Sequence, residues 1–569
     1  MLLHRIKSVV VFSCLVTLLG CQTAPNFHTA EPTGLVGHQA MVVSARQEVS
    51  DIGLQVMAEG GNVFDAMVAV EMALAVAYPF AGSMGGGGFA VYRLADGETG
   101  ALDFREKAPA AAHRDMYLDE EGNVIPGMSR EGATAVGVPG TIAGIFAMHE
   151  RFGTKPMAEL LQPVIELAEK GVVVTEYQQG RLASAREKIA AVSGSGSKFA
   201  REFSVGEVVP RPALAESLRR IVAGGRDEFY KGEMAKQIAE FIQAKGGFVT
   251  AEDLANYQAA WRSPIQFHYK DLNIISMSPP SSGGITVQQI LQMVEPFDVG
   301  QYEHNSLPMV QLLTEAERRA FADRNHFLGD PDYVDIPYAE MTAPDYLAER
   351  MASFSFEAAT KSSEVGHGDL QTAESSETTH YSIVDPYGNA LAATITINGA
   401  YGSKLFSDEL GFFFNNEMDD FSAKPGVPNM FGLTGSEANS IAPGKRMLSS
   451  MTPTIAERDG KLFMLVGAPG GSTIITSVLQ TILNVYEYGY SMQDAVNAPR
   501  FHHQWLPDVI LFETEGFEAS LLEALQAKGY TVNQGRSPVI GKVDAILVLE
   551  DGSLEGGADK RGDDAAAGF

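Results

Sequence analysis

"SSETTHYSIVDPYGNALAATITIN", residues 375–398, passes at Thr378 from a polar run into an apolar, β-rich one. "THYSIV" and "NALAATITI" flank "DPYG", a Pro/Gly turn signal, so the stretch predicts a hairpin. The run before it, "EAATKSSEVGHGDLQTAESSE" (357–377), is small, polar and charged and lacks any aromatic residue, which predicts an exposed, flexible segment. A strand threonine is usually only a β-branched residue that fits the pleat. Here its position singles it out. A polar segment followed at once by a strand opening on Thr378 suits a peptide bond, Glu377–Thr378, that the chain itself cuts. The Thr378 hydroxyl can attack the preceding carbonyl and take the acyl group onto oxygen. The new N-terminus is then a threonine whose α-amine, with a pKa near ~8, accepts the proton of its own hydroxyl.

Away from the hairpin, 569 residues with 45% hydrophobic and 20% charged side chains have ordinary globular composition, without a repeat of 20 to 50 residues. Short β-rich runs ("FAVYRL", "LNIISM", "KLFMLVGAPGG") alternate with helical patterns ("VFDAMVAVEMALAVA", "SLPMVQLLTEAERRAFADRNHF", "STIITSVLQTILNVYEYG"), and "DAILVLEDGSLEGGAD" reads as a second hairpin. This mixed order argues for α/β or α+β layers.

The first twenty residues read as a leader: basic "MLLHRIK", apolar "SVVVFSCLVTLLG", then Cys21. Leu18 to Cys21 resemble the lipobox of bacterial lipoproteins, in which the cysteine becomes the lipidated N-terminus. Residues 21–36 are then a tether, and the expected address is the bacterial envelope, on the periplasmic face of the outer membrane, held by acyl chains alone. Cys14 leaves with the leader, so no disulfide can form within the mature chain. The most apolar later run, "AMVAVEMALAVAYPF", carries Glu71 and reads as a core helix. The net charge is −29, and −31 without Arg5 and Lys7 (40 Lys and Arg against 71 Asp and Glu), which disfavours nucleic acid as a partner.

"ETTHYSIVD", "NNEMDDF" (415–421), "LSSM" (448–451) and "APGGS" (468–472) occur in an order and at separations that resemble the γ-glutamyltranspeptidase family of N-terminal nucleophile (Ntn) hydrolases. "GGNVFDAMVA", "GSMGGGGF", "DFREKAPA", "GVPGT" and "NAPRFHHQWLP" extend the likeness over nearly all of the chain. The resemblance implies an α+β fold, a four-layer αββα sandwich built from both parts of a self-cut precursor. The parts are a large subunit, 37–377, and a small catalytic subunit, 378–569, which remain together as a heterodimer. It implies glutathione and other γ-glutamyl compounds as donors, amino acids or peptides as acceptors, and no cofactor.

The resemblance also implies site residues, and each has a chemical reason. Arg105 with the hydroxyls of Ser449 and Ser450 suits an α-carboxylate. Glu417, Asp420 and Asn398 suit an α-ammonium. Gly470 and Gly471, at a strand end before a helix, suit an oxyanion hole. Thr396 matches a threonine that contacts the nucleophile. Phe431 stands on a lid where many bacterial members carry tyrosine, and Met447 replaces a common proline. His380 is not needed as a base, because an N-terminal threonine supplies its own. His502 and His503 lack a metal-binding pattern, so no metal is expected. "GSMGGGG" lacks the Lys-Ser/Thr of a phosphate loop and reads as close backbone packing. Two other readings remain: an amidase of the same family acting on cephalosporin side chains or poly-γ-glutamate, and an inactive lipoprotein that only binds γ-glutamyl compounds.

Overall fold

The expected hairpin is present: Thr379–Val384 and Ala390–Thr396 pair antiparallel, from Val384↔Ala390 to Thr379↔Ile395. Its turn is fixed by the Asp385 carboxylate, which accepts from the backbone N–H groups of Tyr387 and Asn389 at 2.9 Å each. Gly388 completes it at φ 89°, a region glycine enters without steric cost. The computed structural model describes residues 29–367, 379–430, 432–433, 437–535 and 539–569.

These two strands are central to a seven-stranded sheet ordered Ala565–Gly568, Met41–Ser44, Thr379–Val384, Ala390–Thr396, Gly87–Arg93, Thr99–Asp103, Ala260–Arg262. A second seven-stranded sheet runs Leu35–Gly37, Leu554–Ala558, Asp544–Val548, Lys461–Gly467, Thr454–Arg458, Leu272–Ser276, Ile265–Tyr269. Every pairing in both is antiparallel. The sheets lie face to face, with Ala390–Thr396 over Lys461–Gly467 and Thr379–Val384 over Asp544–Val548.

Helices cover both outer faces. Gln47–Ala58, Val63–Ala77 and Thr141–Phe152 pack on the first sheet, and Gly283–Val294, Thr473–Tyr486 and Met492–Asn497 on the second. The chain is thus the αββα sandwich of the Ntn hydrolases. Because the central strands are covered on both faces, every residue of Thr379–Val384, Ala390–Thr396 and Gly87–Arg93 is buried, and the usual in-out alternation is lost.

Two expectations need correction. The tether ends earlier than Val36: the Thr33 and Gly34 N–H groups donate to Glu555, and Leu35–Gly37 is an edge strand. The segment expected to be exposed and flexible is partly neither, since Ser362 and Val365 are buried. Buried charges hold it, and a polar run gives no sign of these when read alone.

The helix Val63–Ala77 starts at a capping box, Asn62 with Asp65, and buries all of its residues, Glu71 included. The Tyr381 hydroxyl donates to Glu71 at 2.7 Å, and burial pushes the Glu71 carboxyl up to about 8. Folding therefore takes up a proton between the ordinary carboxyl range and pH 8, and stability falls as pH rises through that window, by about 1.4 kcal/mol per pH unit. Glu71→Gln keeps an acceptor for Tyr381 and removes the proton linkage. In thermal unfolding its advantage over the parent should grow from pH 5 to pH 8 and then level off; a constant difference would mean that Glu71 does not titrate in the fold.

Candidate active site

One arginine organises the ends of several elements. The strand Thr99–Asp103 leads into Arg105, which is 0% exposed. Its guanidinium meets Glu417 at 2.6 Å, pairs with Asp420, and lies 3.8 Å from Glu106. Nε and Nη2 also donate to the carbonyls of Met447 and Leu448, at 3.4 and 3.3 Å. Glu417 and Asp420 come from one short 3-10 turn, Glu417–Asp420. Burial works to lower the arginine's pKa, but Glu417 and Asp420 raise it well beyond its ordinary value, so it stays charged. Burial pushes the Glu417 carboxyl up while Arg105 pulls it back, and burial with the neighbouring Glu417 pushes Glu106 well above the carboxylate range. Opposite charges that the sequence assigns to two ends of a ligand therefore neutralise each other directly.

Ser449 and Ser450 follow Leu448 and are fully buried. The Ser450 hydroxyl accepts from Arg324 Nη2 at 2.6 Å, and Arg324 Nε donates to Ser282 at 2.9 Å. The Ser282 hydroxyl in turn donates to the Ser449 carbonyl at 2.7 Å. Sequence reasoning missed Arg324, Ser282 and Glu106. The signal for Arg324 was the density of charge in "TEAERRAFADRNHF", more than a surface stripe needs. The helix it belongs to, Leu307–Phe327, buries Glu315, Glu317, Arg318, Arg319, Asp323 and Arg324 together.

Thr396 ends its strand opposite Gly87, and its Oγ1 accepts from the Asn398 N–H at 2.7 Å. Asn398, at φ 63°, turns the chain so that its side-chain amide donates to the Asn416 carbonyl at 3.0 Å. This brings it beside Glu417. The glycine run permits the crowding: a Cβ on Gly86 would stand 2.1 Å from the Thr396 carbonyl, and one on Gly87 2.6 Å from Glu106 Oε2. "GSMGGGG" is thus the close packing expected of it. Met447 is buried beside Tyr117, Met418 and Phe421, so the departure from proline is absorbed locally.

Gly470 and Gly471, at φ 139° and 63°, carry the chain from the strand Lys461–Gly467 into the helix Thr473–Tyr486. Gly467, three residues before Gly470, lies against His380, the residue after Thr379: a Cβ there would be 2.2 Å from the imidazole. His380 contacts Thr394 and Ser382 at 2.8 and 3.0 Å, and burial lowers it to about 3, a neutral ring between the sheets. His502 uses both ring nitrogens on Thr476 and Gln504, each at 2.9 Å. Among the described residues no group of three or more His, Cys, Asp or Glu is placed to hold a metal, and no helix is long and apolar enough to cross a membrane. Glu377, Thr378, Phe431 and Cys21 lie outside the described residues. Met430, the neighbour of Phe431, donates its N–H to Asp419 at 3.3 Å and reaches the Asn416 side chain.

The structure thus brings Arg105, Thr396, Asn398, Glu417, Asp420, Ser449 and Ser450 into one buried charged cluster. Removing one partner of a buried ion pair costs about 3–5 kcal/mol. Arg105→Ala should therefore unfold at lower temperature than the parent, with a larger deficit at pH 8 than at pH 5, since acid neutralises the two abandoned carboxylates. An equal deficit at both would show that Glu417 and Asp420 are not charged partners of Arg105.

A family model described as Gamma-glutamyltranspeptidase matches residues 49–569. The chain is 44% identical over 536 residues to the glutathione hydrolase proenzyme of Escherichia coli (strain K12), covering 93% of this chain and 92% of that one. Among solved structures, cephalosporin acylase from Bacillus halodurans superposes with a TM-score of 0.83 at 22% identity, covering 97% and 99% of the two chains. A chain of Helicobacter pylori gamma-glutamyltranspeptidase is 41% identical with a TM-score of 0.55, covering 57% of this chain and 94% of its own length.

Proposed function

The chain belongs to the γ-glutamyltranspeptidase family, and we propose that it is a self-processed γ-glutamyltransferase and glutathione hydrolase with Thr378 as its nucleophile. The observation that carries the reading is the fully buried Arg105, held by Glu417 and Asp420 and by the Met447 and Leu448 carbonyls that precede Ser449 and Ser450. A γ-glutamyl group presents one carboxylate and one ammonium on the same carbon. Such a zwitterion can insert into the ion pair, its carboxylate taking Arg105 and the serines, its ammonium taking Glu417, Asp420 and Asn398. Each buried charge exchanges one partner for another, so no net charge is added to the interior. A cephalosporin side chain without an α-amino acid end, entering between Arg105 and its carboxylates, would part them without replacing either partner, which disfavours that substrate.

In the precursor the Thr378 hydroxyl attacks the Glu377 carbonyl, the C–N bond breaks, and the hydroxyl proton passes to the departing nitrogen. Water then hydrolyses the ester, leaving a Glu377 carboxylate and a free Thr378 amine. In the mature enzyme that amine takes the hydroxyl proton as Oγ attacks the γ-carbonyl. The backbone N–H groups of Gly470 and Gly471 receive the oxyanion, and Thr396 steadies the nucleophile. The amide nitrogen leaves protonated, and water or an amine acceptor releases the γ-glutamyl ester. The two polypeptides are 21–377, whose fold begins at Thr33, and 378–569; that the Helicobacter chain spans little more than half of this one supports two separate polypeptides. Cys21 carries the lipid that holds the enzyme to the outer membrane, facing the periplasm.

Thr378→Ala should remain one uncut chain and release no chromophore from a γ-glutamyl anilide, while Thr378→Ser should be cut and keep part of the activity. Two bands from the alanine variant on a denaturing gel would refute the cleavage chemistry. Phe431→Tyr should lower turnover with bulky acceptors, because an added lid hydroxyl can bond Asn398; one such bond shifts closure by about tenfold at most. Unchanged acceptor preference would remove Phe431 from the lid.

A further inference from the structure

The helix Glu176–Ser193 and the paired strands Val172–Val173 and Val208–Val209 carry an apolar cluster away from the Arg105 centre. Leu182, Ile189, Phe199 and Phe203 pack there against Ile397, Tyr401, Phe406 and Phe413. Packing is incomplete. A cavity of about 200 Å³ opens between Phe199, Phe203, Leu214 and Phe406, and a smaller one of about 40 Å³ lies behind Phe80, Tyr177 and Tyr401. Phe199, Phe203, Val209 and Arg211 line both.

Arg211 is a buried cation that the fold does not neutralise. It is 7% exposed, and its guanidinium carbon lies 5.3 Å from the centre of the Phe199 ring. Nη1 donates to the Ala75 and Val76 carbonyls at 2.6 and 3.2 Å, and Nη2 to the Gly411 carbonyl at 2.7 Å. These bonds occupy at most three of the guanidinium's five N–H groups. The Nε–H is among those without a partner in the described residues. Ala75 and Val76 belong to the last turn of the helix Val63–Ala77, whose partial negative charge steadies a cation without matching it. Among the described residues Arg211 pairs with no carboxylate, and burial lowers it to about 9. The Tyr401 hydroxyl, on a residue 2% exposed, also has no hydrogen-bond partner among the described residues.

The surroundings have the same sign. Arg181 lines the smaller cavity and Lys198 and Arg201 the larger, in a chain whose net charge is −29. Arg201 is answered by Glu207. Asp408 is the one carboxylate among the lining residues, and it accepts from the Lys198 N–H at 2.9 Å.

We propose that this cavity binds a small apolar monocarboxylate, an aromatic or short aliphatic acid whose carboxylate takes the unused N–H groups of Arg211 while its body fills the space between Phe199, Phe203 and Phe406. Size fits the assignment: an apolar cavity of about 150 Å³ admits benzene, so about 200 Å³ admits a ring bearing a carboxylate. Charge fits it too, since one unmatched guanidinium calls for one negative charge. Water would supply hydrogen bonds but no counter-charge, and an amino acid would bring an ammonium next to Arg211. The site therefore selects against the zwitterion that suits Arg105. Ile397 and Tyr401 stand on either side of Asn398, so an occupant sits behind the turn that carries it.

Calorimetric titration of the full-length protein with benzoate tests the site, with benzamide as the neutral isostere. Benzoate should bind once per chain, and benzamide at least about tenfold more weakly, because a hydrogen bond to a charged group is worth that much. Arg211→Gln should weaken benzoate by a similar factor. Since that variant also loosens the end of the helix Val63–Ala77, a second one leaves the guanidinium in place: Val209→Trp, at a half-buried position lining both cavities, fills the space. It should lose benzoate binding and keep the parent's turnover of a γ-glutamyl anilide. No binding of benzoate to the parent, equal affinity for benzamide, or binding that survives Val209→Trp overturns the site; the last would place the carboxylate elsewhere, at Arg105 for instance.

Discussion

A guanidinium with no access to water must be neutralised where it stands, and Arg105 imposes that condition on the centre of this fold. Its side chain needs Glu417 and Asp420, which fixes the 3-10 turn carrying them. Its Nε and Nη2 need the Met447 and Leu448 carbonyls, which sets the two serines that follow. Its own carbonyl accepts from the Tyr257 hydroxyl at 2.7 Å, and Tyr257 stacks on Tyr230 with centroids 5.6 Å apart. Tyr230 in turn donates to the Pro139 carbonyl at 3.0 Å, at the start of the helix Thr141–Phe152. One buried charge thereby ties a sheet, a helix layer and the loops of the second half of the chain into one geometry.

The sandwich makes such a centre possible because its middle strands approach without side chains in the way. Gly85, Gly86 and Gly87 each have backbone or carboxylate atoms where a Cβ would go. Gly467 leaves room for the His380 ring between the sheets, and that ring, lowered to about 3 by burial, stays uncharged. A charged histidine there would lack any carboxylate among its hydrogen-bond partners, Thr394 and Ser382. Its neutrality is a condition for closing the sheets.

Much of this was legible in the sequence, for identifiable reasons. The hairpin at Asp385 announced itself through a turn signal between β-rich runs, and the helix at Val63 through its apolar length. Arg105, Glu417 and Asp420 could be found because their motifs carry a resemblance. Their mutual pairing could not, because sequence gives charges without distances. The burial of the charges of Leu307–Phe327 was hidden for the same reason: Glu315 with Arg319, at 2.5 Å, and Asp323 with Arg350, at 2.9 Å, satisfy each other inside the protein. The segment at Ser362 was misjudged because its partners, Trp505 and Asp508, lie more than a hundred residues away.

The division of charge between surface and interior bears on recognition. The chain carries a net −29, so its long-range field opposes the approach of an anionic peptide such as glutathione. At physiological salt that field decays over about 8 Å, and what remains is the local arrangement a ligand meets on entry. There the charges are paired within 2.6 Å for Arg105 and Glu417, in surroundings that screen them poorly. Selectivity therefore has to come from the short-range exchange of partners at Arg105, where a zwitterion fits and a simple anion leaves two carboxylates unanswered. A cation alone fails equally, because it leaves the guanidinium bare. The same requirement that holds the apo fold together, one positive and at least one negative group buried side by side, is met again by the two ends of an amino acid.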